Sequence, residues 1–342
     1  MNRRNLMLLL VAGVLWIIHL SITRPWQGDA HARTAATVGK LYPQLEQEFD
    51  RIVRVVLESG EERTTLRLVQ EGERRGRGWM VEEKNFPVDF GRFTMLLENL
   101  ASITTSDVVS VNPQKHEVYG VGEDQGTRVR VYSSDNRLLV DWIAGSLRQQ
   151  DIAGGQKPVL EFYMRDARSD RVYLSGDAIQ PAVDPVRWCE VQLLRGFDME
   201  RINTIKRTDF QTGESWSITR LNVTAEDEEG DQSPWSMVEP MKATALAYAG
   251  DSMATTIVGL EVADIIGEAD PAGGDEARYG FPQDRFEAGI EGRVFLFELG
   301  RPAAQGQRYL RVKDLPFIFT VSDFTVSQLR QPVERMLMED EE

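Results

Sequence analysis

Histidine and cysteine, which carry much nucleophilic and metal chemistry in proteins, are scarce in this sequence. The three histidines are His19, His31 and His116, and the one cysteine is Cys189. A Ser-His-Asp or Cys-His site needs a histidine beside its nucleophile, and a structural zinc site needs four ligands at short spacings. No two of these histidines have a zinc-ligand spacing, and none follows residue 116. We therefore expect no cofactor, no metal site and no disulfide, and we predict that Cys189 is a buried structural thiol.

Three short segments resemble catalytic or phosphate-binding motifs, but each lacks a required part. Segment 154–158 lacks the glycine spacing and the Ser/Thr of a P-loop. Segment 120–126 is one residue too long for the dinucleotide fingerprint and opens no predicted helix. Segment 250–253 resembles a hydrolase nucleophile turn, but it falls inside a predicted helix and no histidine follows it. We interpret the first two as hairpin turns and the third as helix surface.

Two loops that each precede a tryptophan have opposite charges. The formal net charge of −15 repels phosphate backbones and so argues against nucleic-acid binding. The acidic loop is rich in oxygen ligands but lacks the alternating spacing of a calcium loop. We interpret both loops as solvated turns, and as candidate contact sites for different partners. The basic loop contains Arg74, Arg75 and Arg77 before Trp79, and the acidic loop contains Glu226, Asp227, Glu228, Glu229 and Asp231 before Trp235.

The N-terminus has the pattern of a membrane anchor. Arg3 and Arg4 precede an apolar run over residues 6–22, which is near the short limit for a spanning helix. The arginine pair predicts a cytoplasmic N-terminus with the remainder exported. We predict a single-pass inner-membrane anchor over 1–26, a tether and helical lead-in over 27–48, and a periplasmic or otherwise extracytoplasmic bulk. One alternative is cleavage after Ala32, at an A-x-A site, and another is that this segment forms a buried core helix.

The rest of the chain reads as two tandem copies of one module, over 49–196 and 197–338. A single matching motif can arise by chance, whereas several matches in the same order indicate an internal repeat. The recurring features, first copy before second, are Arg51-Ile52 and Arg201-Ile202, Trp79 and Trp235, Asp107 and Asp264, Tyr119-Gly120 and Tyr279-Gly280, Gly145 and Gly300, and Tyr163-x-Arg165 and Tyr309-x-Arg311.

Each copy predicts the same α+β arrangement, an antiparallel sheet with one main helix packed on it. Alternation predicts strands over 52–57 and 64–69 in the first copy, and over 202–206 and 215–221 in the second. Three or four more strands are expected after each Tyr-Gly turn. Apolar spacing predicts the second copy's helix over 243–260. The first copy's helix is predicted from Phe90, Phe93, Leu96, Leu97 and Leu100, which share one helical face.

This order of motifs resembles the domain of unknown function 4340 family. In the first copy Trp79, Asp107, Tyr119-Gly120, Gly145 and Tyr163-x-Arg165 carry the resemblance. The first copy departs from the pattern at Asn85-Phe86 before its proline, and the second by an insertion at 271–274. The resemblance implies a bacterial envelope protein, and some members are linked to ABC-type transporters and gliding-motility machinery as accessory subunits. It implies no catalytic residues.

We therefore expect a non-catalytic accessory or scaffold protein, not an enzyme. Its partners are expected to be the membrane, through the N-terminal helix, and a protein such as a transporter permease. One alternative is a glycan-binding or glycan-active envelope protein. It would need two carboxylates about 5–10 Å apart in an aromatic cleft. Another is a structural spacer, which predicts no groove between the modules.

Overall fold

The computed structural model describes residues 39–69, 78–105, 108–150, 159–175, 180–221, 234–245 and 247–337. The predicted anchor, the cleavage site and most of the tether lie outside these residues. So do Asp107 and the glycine-rich segment 154–158. In these ranges no helix is both long and apolar enough to span a membrane. From Lys40 onward the chain forms one compact unit.

Among the described residues, the first half of this unit is a nine-stranded antiparallel sheet with one α-helix. Its strand order is β4-β3-β2-β1-β6-β7-β8-β9-β5. Helix α1 (Phe90–Ser102) connects β4 to β5. The strands are β1 (Ile52–Ser59), β2 (Glu62–Val69), β3 (Gly78–Val81), β4 (Phe86–Pro87), β5 (Val108–Ser110), β6 (Thr127–Ser133), β7 (Leu138–Gln150), β8 (Val159–Asp166) and β9 (Val172–Leu174).

The second half is another nine-stranded antiparallel sheet, in the order β13-β12-β11-β10-β15-β16-β17-β18-β14, which repeats the first. The strands are β10 (Ile202–Asp209), β11 (Ser215–Arg220), β12 (Trp235–Glu239), β13 (Ala243–Thr244), β14 (Asp264–Glu268), β15 (Asp284–Ile290), β16 (Arg293–Pro302), β17 (Gln307–Val312) and β18 (Phe317–Ser322). The helices are α2 (Ala247–Val258), α3 (Asp275–Tyr279) and α4 (Asp323–Leu329), and 3₁₀ turns include Leu45–Arg51, Pro185–Trp188 and Val333–Arg335.

The predicted hairpins and the first predicted helix are present. Helix α1 begins after Asp89, whose carboxylate accepts hydrogen bonds from the Gly91 and Arg92 amides, as a good N-cap residue does. The predicted apolar face is buried except at Phe90, which is 62% exposed. The predicted lead-in helix is a shorter 3₁₀ turn over Leu45–Arg51.

The second predicted helix begins later than expected. Residues 243–244 form strand β13 and pair with Met237 and Ser236 of β12, and Ala245 bridges to Leu337. Because alanine favours helices, the sequence pattern predicted a helix that starts at residue 243. In the structure, sheet pairing keeps the first of these residues in a strand. Segment 250–253 does lie in the helix, but Asp251 is not simply solvated. It accepts hydrogen bonds from Trp235 Nε1 at 2.9 Å and from Arg220 at 3.0 Å.

The recurring Tyr-Gly and Tyr-x-Arg motifs form the same contact in both sheets. The rings of Tyr119 and Tyr163 lie 4.7 Å apart at 53°, and those of Tyr279 and Tyr309 have the same distance and angle. These pairs belong to small apolar clusters separate from the main core. The motifs therefore stabilise a second packed region on each sheet.

A glycine on the neighbouring strand permits this contact in each half. A Cβ on Gly145 would lie 2.5 Å from the Tyr119 carbonyl oxygen, and a Cβ on Gly300 would lie 2.4 Å from that of Tyr279. Both distances are shorter than van der Waals contact, and both neighbours are backbone atoms. The glycines of the repeat are therefore required for close approach of the turn to the sheet.

Segment 189–193 connects the halves by pairing with both of them. Cys189 forms an antiparallel bridge with Val88, just after β4. Leu193 then donates its amide to the Leu260 carbonyl at 3.2 Å, shortly before β14. One strand-like segment thus covers an edge of each sheet, and the main core runs through both halves.

Aromatic packing completes the junction. Phe86 of β4 lies edge-on to Phe317 and Phe319 of β18, with ring centroids 5.1 and 5.7 Å apart. Phe86 is only 6% exposed. Edge-to-face aromatic pairs add stability beyond their buried area. The junction between the sheets is therefore packed by side chains.

Polar contacts surround this aromatic cluster. Lys84 Nζ lies 2.5 Å from the Asp264 carboxylate, and it also donates to the Ile265 carbonyl at 3.2 Å. The Asn85 amide donates to Glu268 at 2.5 Å. Asn85 and Phe86 are the two residues at which the first copy departs from the motif pattern, so this departure coincides with the contact between the halves.

Candidate partner-binding groove

A groove of about 310 Å³ lies between α1 and the segment that precedes the junction. The α1 side presents Arg92, Met95, Leu96 and Asn99. Their spacing of i, i+3, i+4 and i+7 places them along one face of the helix. The opposite wall consists of Gln180, Pro181, Ala182, Arg187 and Trp188.

Hydrogen bonds hold this opposite wall in place. Trp188 Nε1 donates to the Ala182 carbonyl at 2.9 Å, which closes the segment on itself. The Gln180 amide donates to the Gly145 carbonyl at 3.2 Å and ties the segment to β7. Because its partners belong to the sheet and to the segment itself, the wall is fixed without a bound ligand, as expected of a pre-formed site.

The two walls are also connected directly. The Arg92 guanidinium donates to the Arg187 carbonyl at 2.6 Å, and the Asp89 amide donates to the Trp188 carbonyl at 2.8 Å. The Arg92 side chain lies near its own N-cap carboxylate, with Nε 3.5 Å from Asp89 Oδ2. Arg92 therefore lines the groove and also connects its two walls.

The groove combines an apolar floor with positive charge. Leu96 and Trp188 are buried beneath it, whereas Met95 is 56% exposed. The Arg187 guanidinium is exposed and forms no ion pair with a described carboxylate. An exposed apolar residue beside two arginines is typical of a protein contact site. On a chain of net charge −15, this composition favours an apolar partner segment with an acidic residue.

The second half has a groove at the corresponding place, with a different lining. It lies between α2 and the C-terminal segment, and its volume is about 640 Å³. Tyr248 and Ser252 line the helix side, and Gln328, Gln331 and Glu334 are among the residues opposite. The two halves thus share the position of a groove. Arg335 lines the second one, whereas the first has two arginines beside the exposed Met95.

Buried carboxylates in the sheets are neutralised by arginines. Asp141 accepts two hydrogen bonds from Arg128, at 2.7 and 2.9 Å. Glu298 is bound by both Arg285 and Arg311. The oxygens of these carboxylates are therefore engaged in charge-assisted hydrogen bonds within the sheets. This arrangement does not favour the glycan-active alternative.

Asp166 and Arg165 lie beside the first of these pairs. Burial alone would raise the pKa of Asp166, but hydrogen bonds from the Arg168 guanidinium and amide outweigh it and lower that pKa. Arg165 is buried without a carboxylate partner among the described residues, and burial lowers the pKa of its guanidinium. It donates instead to the Val121 and Ala167 carbonyls, at 2.7 and 3.0 Å. Its role is to fix the Tyr-Gly turn.

None of the residues predicted as partner contacts can be placed. Arg74, Arg75, Arg77, Glu226, Asp227, Glu228, Glu229 and Asp231 all lie outside the described residues. Within the described ranges, no group of three or more His, Cys, Asp and Glu side chains is arranged to hold a metal ion. Cys189 is buried as predicted, and burial raises the pKa of its thiol to about 12.

The groove itself was not predicted from the sequence. Periodicity identified the buried face of α1, and Arg92, Met95 and Asn99 fall outside that face. The opposite wall is about 90 residues away along the chain, as the Arg92–Arg187 contact with its separation of 95 residues shows. A local signal did exist in Met95, a large apolar residue on the polar side of an amphipathic helix.

Comparison with known proteins gives one family match. No curated protein and no solved structure matches this chain. The family match begins at Trp79 in β3 and ends at the residue before Trp235. It therefore covers the interval between the two tryptophans (235 − 79 = 156 residues). Residues 79–234 match the model of a domain of unknown function (DUF4340), and that part of the chain is similar to this family.

Proposed function

We propose that this protein is a non-catalytic, membrane-anchored accessory protein of the cell envelope. In this proposal the arginine-flanked groove on α1 binds a protein partner in an ABC-type transport or related envelope complex. The observation that carries it is a single groove that combines exposed Met95, buried Trp188 and exposed Arg187, which has no ion-pair partner among the described residues. Such a site suits an apolar segment with an acidic residue.

We also propose that the chain is a tandem duplication of the matched domain. The common strand order and the identical tyrosine geometry support this. After duplication, only one of two equivalent grooves needs to keep its original lining. The different compositions of the two grooves fit a division of roles, with the first half binding and the second supporting.

The packed junction supports a scaffold role. A protein that holds a partner at a fixed distance from its anchor needs rigidly connected modules. Here segment 189–193 pairs with both halves, and Phe86 packs into the second sheet. The proposed anchor would attach these packed modules to the membrane.

Co-purification of the full chain in mild detergent tests the proposal. Wild-type protein should retain a permease and its ATPase. The double substitution Met95→Asp with Arg187→Glu should lose them, because it replaces the exposed apolar side chain of the groove with a carboxylate and reverses the charge at position 187. Val294→Asp is the matched control, since Val294 is 61% exposed and lies outside this groove. Recovery of wild-type protein alone, or equal recovery with all three proteins, would contradict the proposal.

A further inference from the structure

The β5 edge of the first sheet exposes apolar side chains. Val108 is 50% exposed and Val111, which follows the strand, is 64% exposed. Arg171, just before the neighbouring strand β9, is also exposed. We define Val108, Val111 and Arg171 as the β5 surface. Exposed valines at a sheet edge favour association, because the edge offers both apolar area and unpaired backbone groups.

The second sheet shows what covers the same place in a repeated fold. Val108 pairs with Tyr173 of β9 as Ile265 pairs with Phe319 of β18, and a register shift follows each residue. Val108 and Ile265 therefore occupy equivalent positions. Ile265, however, is only 2% exposed.

The cover on β14 is the β3–β4 turn of the first half, residues 82–85 with Phe86. Lys84 of this turn donates to the Ile265 carbonyl and binds Asp264. Phe86 packs on the next strand of the same sheet. Within the chain, the edge that contains β14 thus accepts the turn between the third and fourth strands of the first half.

The second half has its own such turn, at which two apolar side chains are exposed. Residues 240–242 connect β12 to β13 as 82–85 connect β3 to β4, and Val238 and Glu239 are the last residues of β12. Val238 is 46% exposed and Met241 is 54% exposed. The first half thus presents the β5 surface. The second half presents the turn that is equivalent to the one covering β14.

We propose that the β5 surface of one copy binds the β12–β13 turn of a second copy. The contact repeats the junction within the chain, with Met241 and Val238 against Val108 and Val111. Glu239, whose carboxylate also lies 3.7 Å from Lys206 Nζ, provides a negative charge for Arg171. Because the acceptor and the turn are different surfaces, the contact is heterologous and extends into open chains of copies. This inference does not depend on the proposed function.

The contact between copies is weaker than the junction within the chain. Ala243 stands where β4 has Phe86, and Arg171 precedes Val172 where Phe317 precedes Ile318. The aromatic cluster of the junction is therefore absent from this contact. Association should therefore be weak and should depend on protein concentration, as it does at transient interfaces.

Cysteine cross-linking of the full chain in detergent tests this arrangement. The chain contains one natural cysteine, and Cys189 is buried, so an introduced cysteine is the reactive one. Val108→Cys and Met241→Cys proteins with different tags are mixed and treated with a short bifunctional maleimide. We expect several-fold more product between the two variants than between Val294→Cys and Met241→Cys.

Two further results decide the inference. A single protein with both Val108→Cys and Met241→Cys should give a concentration-dependent ladder of multimers. Adding Val111→Asp to the Val108→Cys protein should reduce the product between the variants, with unchanged circular dichroism. A yield no higher than that of the Val294→Cys control pair would overturn the proposal, as would a preference for Val108→Cys pairing with itself.

Discussion

The ammonium group of Lys84 lies 2.5 Å from the carboxylate of Asp264, across the junction of the two sheets. Both side chains are partly buried, at 22% and 35% exposure, so the pair is screened less than a surface ion pair. It borders the contact of Phe86 with Phe317. The pair thus fixes which turn meets which sheet edge, and the aromatic cluster supplies the buried area.

The Phe86→Ala substitution should uncouple the two sheets. Truncating a buried phenylalanine costs about 3–5 kcal/mol, and this one contacts the other half directly. We expect one cooperative urea transition for the wild type, because the main core spans both halves. The variant should show a lower midpoint and two separable transitions when tryptophan fluorescence and circular dichroism are compared.

Phe90→Ala provides the control for this experiment. Phe90 is 62% exposed, so its truncation should change the free energy of unfolding by roughly 0.5 kcal/mol or less. A single unshifted transition for Phe86→Ala, or equal effects of the two substitutions, would contradict the described junction.

Gly145→Ala and Gly300→Ala should destabilise the protein to a similar extent. Each new methyl group would meet a backbone carbonyl at 2.4–2.5 Å, and relieving such overpacking typically costs about 1–3 kcal/mol. Gly78→Ala is the matched control, because a Cβ there has no neighbour within 4 Å. Thermal unfolding measures all three. A large difference between Gly145→Ala and Gly300→Ala would argue against equivalent roles in the two halves.

The Asp166–Arg168 pair should stabilise the protein in a pH-dependent way. Arg168 lowers the pKa of Asp166 despite its burial, so the contribution is present above the unfolded value of about 3.9 and is lost as the pH falls through the lower folded value. Asp166→Asn should therefore be destabilised at pH 7, and its difference from wild type should shrink below about pH 4.

Urea titrations at several pH values measure this difference. The exposed carboxylate of Asp170 gives the control, and Asp170→Asn should have a smaller effect throughout. The difference in the free energy of unfolding between wild type and Asp166→Asn should shrink on acidification. If that difference grew instead, the ion pair could not be its cause.

Cys189 should be unreactive in the folded protein. Burial is the main cause that raises the pKa of its thiol to about 12, so the thiolate that reacts with disulfide reagents is rare at pH 8. Titration with a chromogenic disulfide should give slow, substoichiometric reaction in buffer and one thiol per chain in denaturant. Rapid reaction of one equivalent under native conditions would show that segment 189–193 leaves the junction.

Local patterns were sufficient for much of the fold. Alternation located the β1–β2 and β10–β11 hairpins, and helical periodicity located α1. Recurrence of Tyr119-Gly120 and Tyr279-Gly280 identified positions that the structure places in equivalent turns. These features depend on residues close together in sequence, which a pattern can report.

Features that depend on distant residues were beyond such patterns. Strand β13 is extended because it pairs with β12 and because Ala245 bridges to Leu337, although Ala243 and Ala245 favour a helix. The groove needs the Arg92 side chain to meet the Arg187 carbonyl, 95 residues away. The departure at Asn85-Phe86 was visible in the sequence, and its cause became clear only from contacts with Glu268 and Phe317.

Photo-cross-linking from position 95 in native membranes tests the central functional claim most directly. A photoreactive residue in place of Met95 faces the groove, and one in place of Val294, which is similarly exposed, faces elsewhere. The account predicts one dominant adduct to an ABC-type permease from position 95 that Arg187→Glu abolishes, and no such adduct from position 294. Equal labelling from both positions, or a position-95 adduct that survives Arg187→Glu, would contradict it.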